Sequence, residues 1–342
     1  MNNNDGEETR LNRRHILGGA AALASVAMAA KPAAAQTGAQ SAPVDLSGKS
    51  VLITGTSSGF GRLAALHFAR SGASVIASMR NFNGGKRPEA QELLDTASAE
   101  KLKLSVIEID VTRDDQAAAG AAKAEKIAGG ALDALVNNAG VGIAGPIELH
   151  DYAAAMRQFN TNLFGYHRMA RAVLPKMRER RQGLLVQISS QLGRVILPNI
   201  GMYCATKYAV EAMFEAMAYE LAPLGVDVTI VQPGGYPTKI WANGERYFAE
   251  LMESADAERK AAFAGHIEMA QGFFNGGGST DPMDVPRAIA EIIAMAPGKR
   301  PLRRPVHPNT QATDALNAAH AQVQAAVLGQ GRYKAWHDAV TD

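Results

Sequence analysis

The chain has 342 residues, and its 35 Lys and Arg against 33 Asp and Glu exclude a dedicated nucleic-acid binder. Apolar residues at 47% and charged residues at 20% exclude a disordered chain and leave enough material for a large core. A single cysteine, Cys204, excludes an internal disulfide framework and a thiolate zinc cluster.

The first segment reads as an address. A polar start leads to Arg13 and Arg14, and residues 16–30 follow without a charge. That run is shorter than the roughly 20 residues a membrane span needs, so no stable insertion of the mature chain is expected. Ala33 and Ala35 then supply the small residues a signal peptidase accepts. Paired arginines before an apolar stretch resemble the twin-arginine type of signal, which carries folded proteins to the periplasm. Residues 1–35 are thus expected to be a signal peptide and 36–46 a lead-in.

From residue 50 the chain alternates short β-branched runs with helical patterns. Strands are expected at 50–54, 74–77, 104–109, 134–136, 183–189 and 226–232, with helices between them. This is the pattern of βαβ units, so the fold class is α/β: a doubly wound parallel sheet of Rossmann type covered on both faces. The Ala-rich stretch 117–128 reads as a helix packed closely on the sheet. No linker divides 47–308, so one domain is expected, with a lid at about 235–280 and a helical tail at 309–342.

The first strand ends in Thr54, Gly55, Thr56, Ser57, Ser58, Gly59, Phe60 and Gly61. Glycines between a strand and a helix let backbone N–H groups approach a pyrophosphate. Their spacing of four then two resembles the TGxxxGxG turn of the short-chain dehydrogenases/reductases. Further motifs of that family follow in order. Asn137, Asn138, Ala139 and Gly140 match its NNAG, Asn162 to Gly165 its NxxG, Tyr203 to Lys207 its YxxxK, and Pro233–Gly234 its PG turn, with Thr238 downstream. The resemblance covers about 47–308. It implies an oxidoreductase acting on CH–OH donors with a nicotinamide cofactor, and a homodimer or homotetramer.

The chemistry can be read from the residues as well. Tyr203 and Lys207 are four apart and share a helix face, so the ammonium should lower the phenol's pKa and suit it to general acid/base work. Ser190 ends a strand, where its hydroxyl would bind the substrate oxygen. The resemblance gives Asn162 the role of holding a water that leads to the lysine. Ser189 is one residue out of register and should face away. The family likeness also places Asp110 and Val111 at the adenine, although Asp110 equally suits a cap on the following helix.

Met79 stands where NAD-binding members carry an acid, and Arg80 follows it with a group suited to a 2′-phosphate. NADP(H) is therefore expected over NAD(H). Lid aromatics such as Trp241, Tyr247, Phe248 and Phe274 are either core or the wall of a pocket for a hydrophobic small-molecule carbonyl or alcohol. The segment 300–306 resembles the hydroxysteroid and retinol dehydrogenase branch. Its cluster Lys299, Arg300, Arg303 and Arg304 reads as a solvated strand edge. His67, His150 and His167 lack metal-ligand spacing, so no metal is expected. The rival reading is a cofactor-binding module without turnover, which intact Ser190, Tyr203 and Lys207 oppose.

Overall fold

A computed structural model describes residues 44–340 apart from 276–277. The expected signal peptide and nearly all of the lead-in lie outside the described residues. The apolar runs form strands β1 (Ser50–Thr54), β2 (Ser74–Met79), β3 (Leu104–Glu108), β4 (Ala134–Asn137), β5 (Gly183–Ile188) and β6 (Val226–Pro233). A seventh, β7 (Arg303–Val306), joins at the edge, giving one parallel sheet in the order β3-β2-β1-β4-β5-β6-β7. The order reverses between β1 and β4, which is where such sheets open a crevice at their carboxyl ends.

Helices cover both faces. On one side α1 (Gly59–Arg70), α2 (Pro88–Ala99) and α10 (Asp284–Ala294) enclose a core that includes Ile53, Phe68, Val136 and Ile289. On the other, α3 (Asp114–Ala128), α5 (Gly165–Arg180) and α6 (Gly201–Leu221) enclose Leu52, Ile107, Leu135 and Phe214. Strands buried on both faces need continuous apolar sequence, which explains why the runs were legible. The Ala-rich α3 packs as expected: a Cβ at Gly120 would stand 2.5 Å from Ile109 Cδ1.

Between β4 and α5 lie α4 (Tyr152–Phe159) and a π turn, Asn160–Phe164. The stretch expected to form a lid holds α7 (Ile240–Ser254), α8 (Ala257–Ala262) and α9 (Ala264–Gln271). The tail is α11 (Gln311–Leu328) followed by α12 (Lys334–Asp338). Among the described residues no helix is long and apolar enough to cross a membrane.

The basic cluster corrects one expectation. Arg304 is solvated, pairing at the surface with Glu291, but Arg300 and Arg303 are 8% and 6% exposed. Arg300 bonds Asp227 at 2.8 Å, and Arg303 bonds Glu211 at 3.0 Å and Glu215 at 2.5 Å. A buried guanidinium needs such carboxylates, and it finds them on β6 and α6.

Candidate active site

The glycine turn is built from close backbone contacts. Gly55 has φ +72°, and a Cβ there would lie 2.7 Å from Ala139 Cα, so only glycine fits. Asn138 of the second motif holds the turn from behind. Its Nδ2 donates to Thr54 O at 2.9 Å and Gly55 O at 3.1 Å, while Thr54 Oγ1 accepts from the N–H groups of Asn138 and Ala139. Thr54, the first residue of the TGxxxGxG motif, is thus a working member of the turn.

Ser58 begins α1 without its side chain capping the helix, so the first N–H groups of a 12-residue helix are open to an anion. Ser57, Ser58 and Gly59 are partly exposed there, and Thr238 reaches the same place, 3.5 Å from a Cβ at Gly59. Phe60 is fixed edge-on against Tyr236 at 5.5 Å. This cradle fits a dinucleotide's pyrophosphate.

At the end of β2, Met79 is 2% exposed and packs in the core, whereas Arg80 is exposed. Arg80 Nη2 donates to the lid hydroxyl Tyr247 Oη at 3.3 Å. Asp110 is not the cap of α3, a place that Arg113 occupies. Its carboxylate instead accepts from Thr112 N at 2.9 Å and Thr112 Oγ1 at 2.7 Å, forming a local turn beyond β3. Val111 is buried, and a Cβ at Gly165 would meet its side chain.

The expected reacting residues converge beyond β5 and at the start of α6. Ser190 is extended and 8% exposed; its Oγ accepts from Leu192 N at 3.1 Å, and Ser190 is near enough to the Tyr203 phenol to lower its pKa. Pro233 O lies 3.4 Å from Ser190 Oγ, and Gly234 N donates to Val306 O, which ties the PG turn to β7. Ser189 faces away as expected, toward Gly193 and Glu211. Lys207 is 3% exposed; its Nζ donates to Ile188 O at 2.7 Å and lies 5.6 Å from the Tyr203 ring centre and 5.3 Å from that of Tyr166.

Burial pushes the Tyr203 phenol well above its usual range, against a smaller lowering from Ser190. Burial also brings Lys207 down to about 7, opposed by the charge of Glu211. The expected lowering of the phenol by the lysine is therefore overridden here. Desolvation is the largest influence on both groups.

Asn162 sits in the π turn and is fully buried. Its Oδ1 accepts from Val141 N at 2.8 Å, and its Nδ2 donates to Val141 O at 2.8 Å and Thr206 Oγ1 at 3.1 Å. Both amide donors are committed, so this side chain clamps the loop after Gly140 and has only an acceptor position left for a water. Gln158 braces the same loop through Ile143 N at 3.1 Å, and nothing in its local sequence marks it.

In the lid, Tyr247, Phe248 and Leu251 are buried against Val141, Ile143, Ala144 and Leu149. Those aromatics are core of the lid, while Trp241, Phe263, Phe273 and Phe274 stay partly exposed.

A protein-family model described as short chain dehydrogenase matches residues 49–246. Retinol dehydrogenase 8 of Bos taurus is 35% identical over 263 residues, covering 75% of this chain and 80% of the relative. The mitochondrial D-beta-hydroxybutyrate dehydrogenase of Rattus norvegicus is 32% identical over 265 residues, 73% of this chain and 75% of that one. The crystal structure of a short chain dehydrogenase/reductase from Burkholderia phymatum in complex with NAD superposes with a TM-score of 0.66 at 25% identity, covering 82% and 96% of the two chains. With its parallel sheet, glycine turn and Ser190, Tyr203 and Lys207 in register, the chain is an oxidoreductase that belongs to the short-chain dehydrogenase family.

Proposed function

We propose that this enzyme interconverts a hydrophobic ketone or aldehyde and its alcohol with NADP(H), using Tyr203 as general acid and base. The observation that carries the reading is the buried Lys207 Nζ 5.6 Å from the Tyr203 ring centre, with Ser190 near enough to the phenol to lower its pKa. A carbonyl oxygen placed between Ser190 Oγ and Tyr203 Oη accepts a hydrogen bond from each. As negative charge develops on that oxygen, Tyr203 gives up its proton to it, and Lys207 stabilises the phenolate left behind. The nicotinamide, when bound, supplies the hydride to the carbonyl carbon. In the alcohol direction Tyr203 takes the proton back.

Gly55, Ser57, Ser58, Gly59 and Thr238 would hold the pyrophosphate side of the cofactor, and Asp110, Val111, Ala139 and Gly140 the adenosine side. Arg80 supports the NADP(H) preference because its present bond, to a neutral hydroxyl at 3.3 Å, is weaker than one to a phosphate. The partly exposed lid aromatics support an apolar substrate. Export through Arg13 and Arg14 to the periplasm, and a homodimer or homotetramer, complete the reading; fractionation and light scattering test them.

Tyr203→Phe tests the chemistry. The variant should bind NADPH as the parent does and turn over an aldehyde panel at least ~100-fold more slowly, the usual share of general acid catalysis. Equal turnover refutes the role of Tyr203.

A further inference from the structure

Tyr203, Lys207, Glu211 and Glu215 recur every fourth residue along α6, which makes them one slowly winding stripe. The first two belong to the reaction. The other two are 2% and 5% exposed and sit in a network of side chains from three further elements. Glu211 accepts from Arg303 Nε at 3.0 Å and from Gln232 Nε2 at 2.9 Å. Glu215 accepts from Arg303 Nη2 at 2.5 Å, with His320 Nε2 at 2.8 Å. The C-terminal helix locks the assembly, because Asn317 Nδ2 donates to Gln232 Oε1 at 2.7 Å. Arg194, after β5, feels Arg303, Glu211 and Glu215.

Buried ions cost several kcal/mol of desolvation each, and an apolar cluster would stabilise the fold as well or better. Their placement one turn beyond a buried lysine points to use. Lys207 gives its hydrogen bond to a neutral carbonyl, Ile188 O. The groups facing it are Tyr203 and Glu211 from α6 and Tyr166 from α5. Glu211 is thus the acid of that set. Glu211 follows Lys207 by one turn on the same face of α6, and both side chains are buried, so they leave the helix side by side.

We propose that Glu211 is a positioning residue for the reaction: held by Arg303 and, through Gln232, by the C-terminal helix, its carboxylate keeps Lys207 protonated beside Tyr203. The inference rests on Tyr203 and Lys207 being the reacting pair.

The test is the alkaline limb of kcat/KM for reduction of an aromatic aldehyde at saturating NADPH, where the pair begins to lose its protons. Glu211→Gln removes the negative charge, so the limb should move about one pH unit lower, the small end of what a nearby buried charge does. At a pH one unit above the parent's limb this reads as a further loss of up to about tenfold. Arg303→Gln leaves Glu211 less compensated and should move the limb upward. Glu211→Asp keeps the charge and should leave the limb where the parent has it. A merely structural role lowers activity in these variants without moving the limb. An unmoved limb, or movement in the same direction in Glu211→Gln and Arg303→Gln, overturns the proposal. If Glu211→Gln fails to fold, Arg303→Gln decides: an upward shift supports it, and no shift or a downward one overturns it. A parent enzyme with no titrating limb refutes the Tyr203–Lys207 reading itself and this proposal with it.

Discussion

The glycine turn offers the sharpest test of how the cofactor cleft is held. Gly61 lies in the first turn of α1, and a Cβ there would stand 2.5 Å from Gly55 O and closer still to Asn138 Nδ2. Gly55 O cannot yield, since Gly55 is itself pressed against the backbone of Ala139. The Asn138 amide must therefore leave, losing its bonds to Thr54 O at 2.9 Å and Gly55 O at 3.1 Å. Each is worth roughly 1 kcal/mol, and residual overpacking adds about 1–3 kcal/mol. Alanine returns about 1 kcal/mol through its better helix propensity. Gly61→Ala should then lose about 3 kcal/mol, a fall of roughly 6–12 °C in Tm for a domain of this size. A fluorescence titration should show NADPH bound at least ~10-fold more weakly, because the N–H groups aimed at the phosphates move. Gly140→Ala is the control. Its Cβ would stand 3.4 Å from Asn162 Oδ1 and its φ is not positive, so the loss should stay below about 1 kcal/mol. The reasoning fails if the two variants melt alike, or if Gly61→Ala keeps the parent's Tm and NADPH affinity.

Three further outcomes follow from the same geometry. Lys207→Met should abolish turnover yet raise the Tm of the cofactor-free protein by several degrees at pH 7, since it removes a buried cation. The sign follows from linkage: the folded lysine near 7 binds fewer protons than the unfolded one near 10.5, so wild-type stability rises with pH across that window, and Lys207→Met should lack the rise. Burial alone would raise the Glu215 carboxyl, but Arg303, Gln324 and His320 outweigh it and hold it at about 2 against an ordinary 4.5. That stability is present above pH 4.5 and is lost as pH falls toward 2, up to about 3 kcal/mol, and Arg303→Gln should flatten that part of the acid-unfolding curve. Arg80→Ala should lower the kinetic NADP/NAD preference at least ~10-fold with NAD turnover little changed; an unaltered ratio removes Arg80 from cofactor choice.

Six strands and the site motifs were legible because their signals are local. A buried parallel strand needs an unbroken apolar run, and a phosphate turn needs glycines at fixed spacing. The seventh strand carries Arg303, Arg304 and Pro305, which sequence assigns to a solvated edge. What buries Arg300 and Arg303 lies 73, 92 and 88 residues away at Asp227, Glu211 and Glu215. No local window contains that information. The same limit applies to Asn162, whose identity is readable but whose clamp on Val141 spans 21 residues. Tyr203 and Lys207 show a different failure. Their spacing predicts attraction between the charged forms, but burial of both, which spacing does not encode, dominates. The tail helix α11 also misleads, since Asn317, His320 and Gln324 face the protein while Leu316, Val323 and Val327 face outward. Hydrophobic patterning would orient it the other way.

The manner in which each part is fastened separates the site into a fixed portion and an adaptable one. Asn138 is bonded to main-chain atoms of Thr54 and Gly55, Asn162 to both main-chain groups of Val141, Ser190 to Leu192 N, and Lys207 to Ile188 O. Backbone in a sheet or its adjoining turns moves little, so these side chains hold their geometry before any substrate arrives. The lid is tied differently. Apart from Trp241 Nε1, which donates to Tyr236 O at 2.8 Å, its polar links to the body include Arg157 to Glu250 at 2.8 Å, Arg259 to Glu148 at 3.5 Å and Arg80 to Tyr247 at 3.3 Å, made between side chains that are largely exposed in the first two cases. Exposed ion pairs of this kind are worth about 0–1 kcal/mol each, so breaking them is cheap. What resists lid movement is the apolar contact of Tyr247, Phe248 and Leu251 with the loop that Asn162 and Gln158 hold still. Changes in substrate preference should therefore come from substitutions in α7 and its apolar partners, whereas substitutions behind Ser190, Tyr203 and Lys207 should alter the rate for every substrate alike.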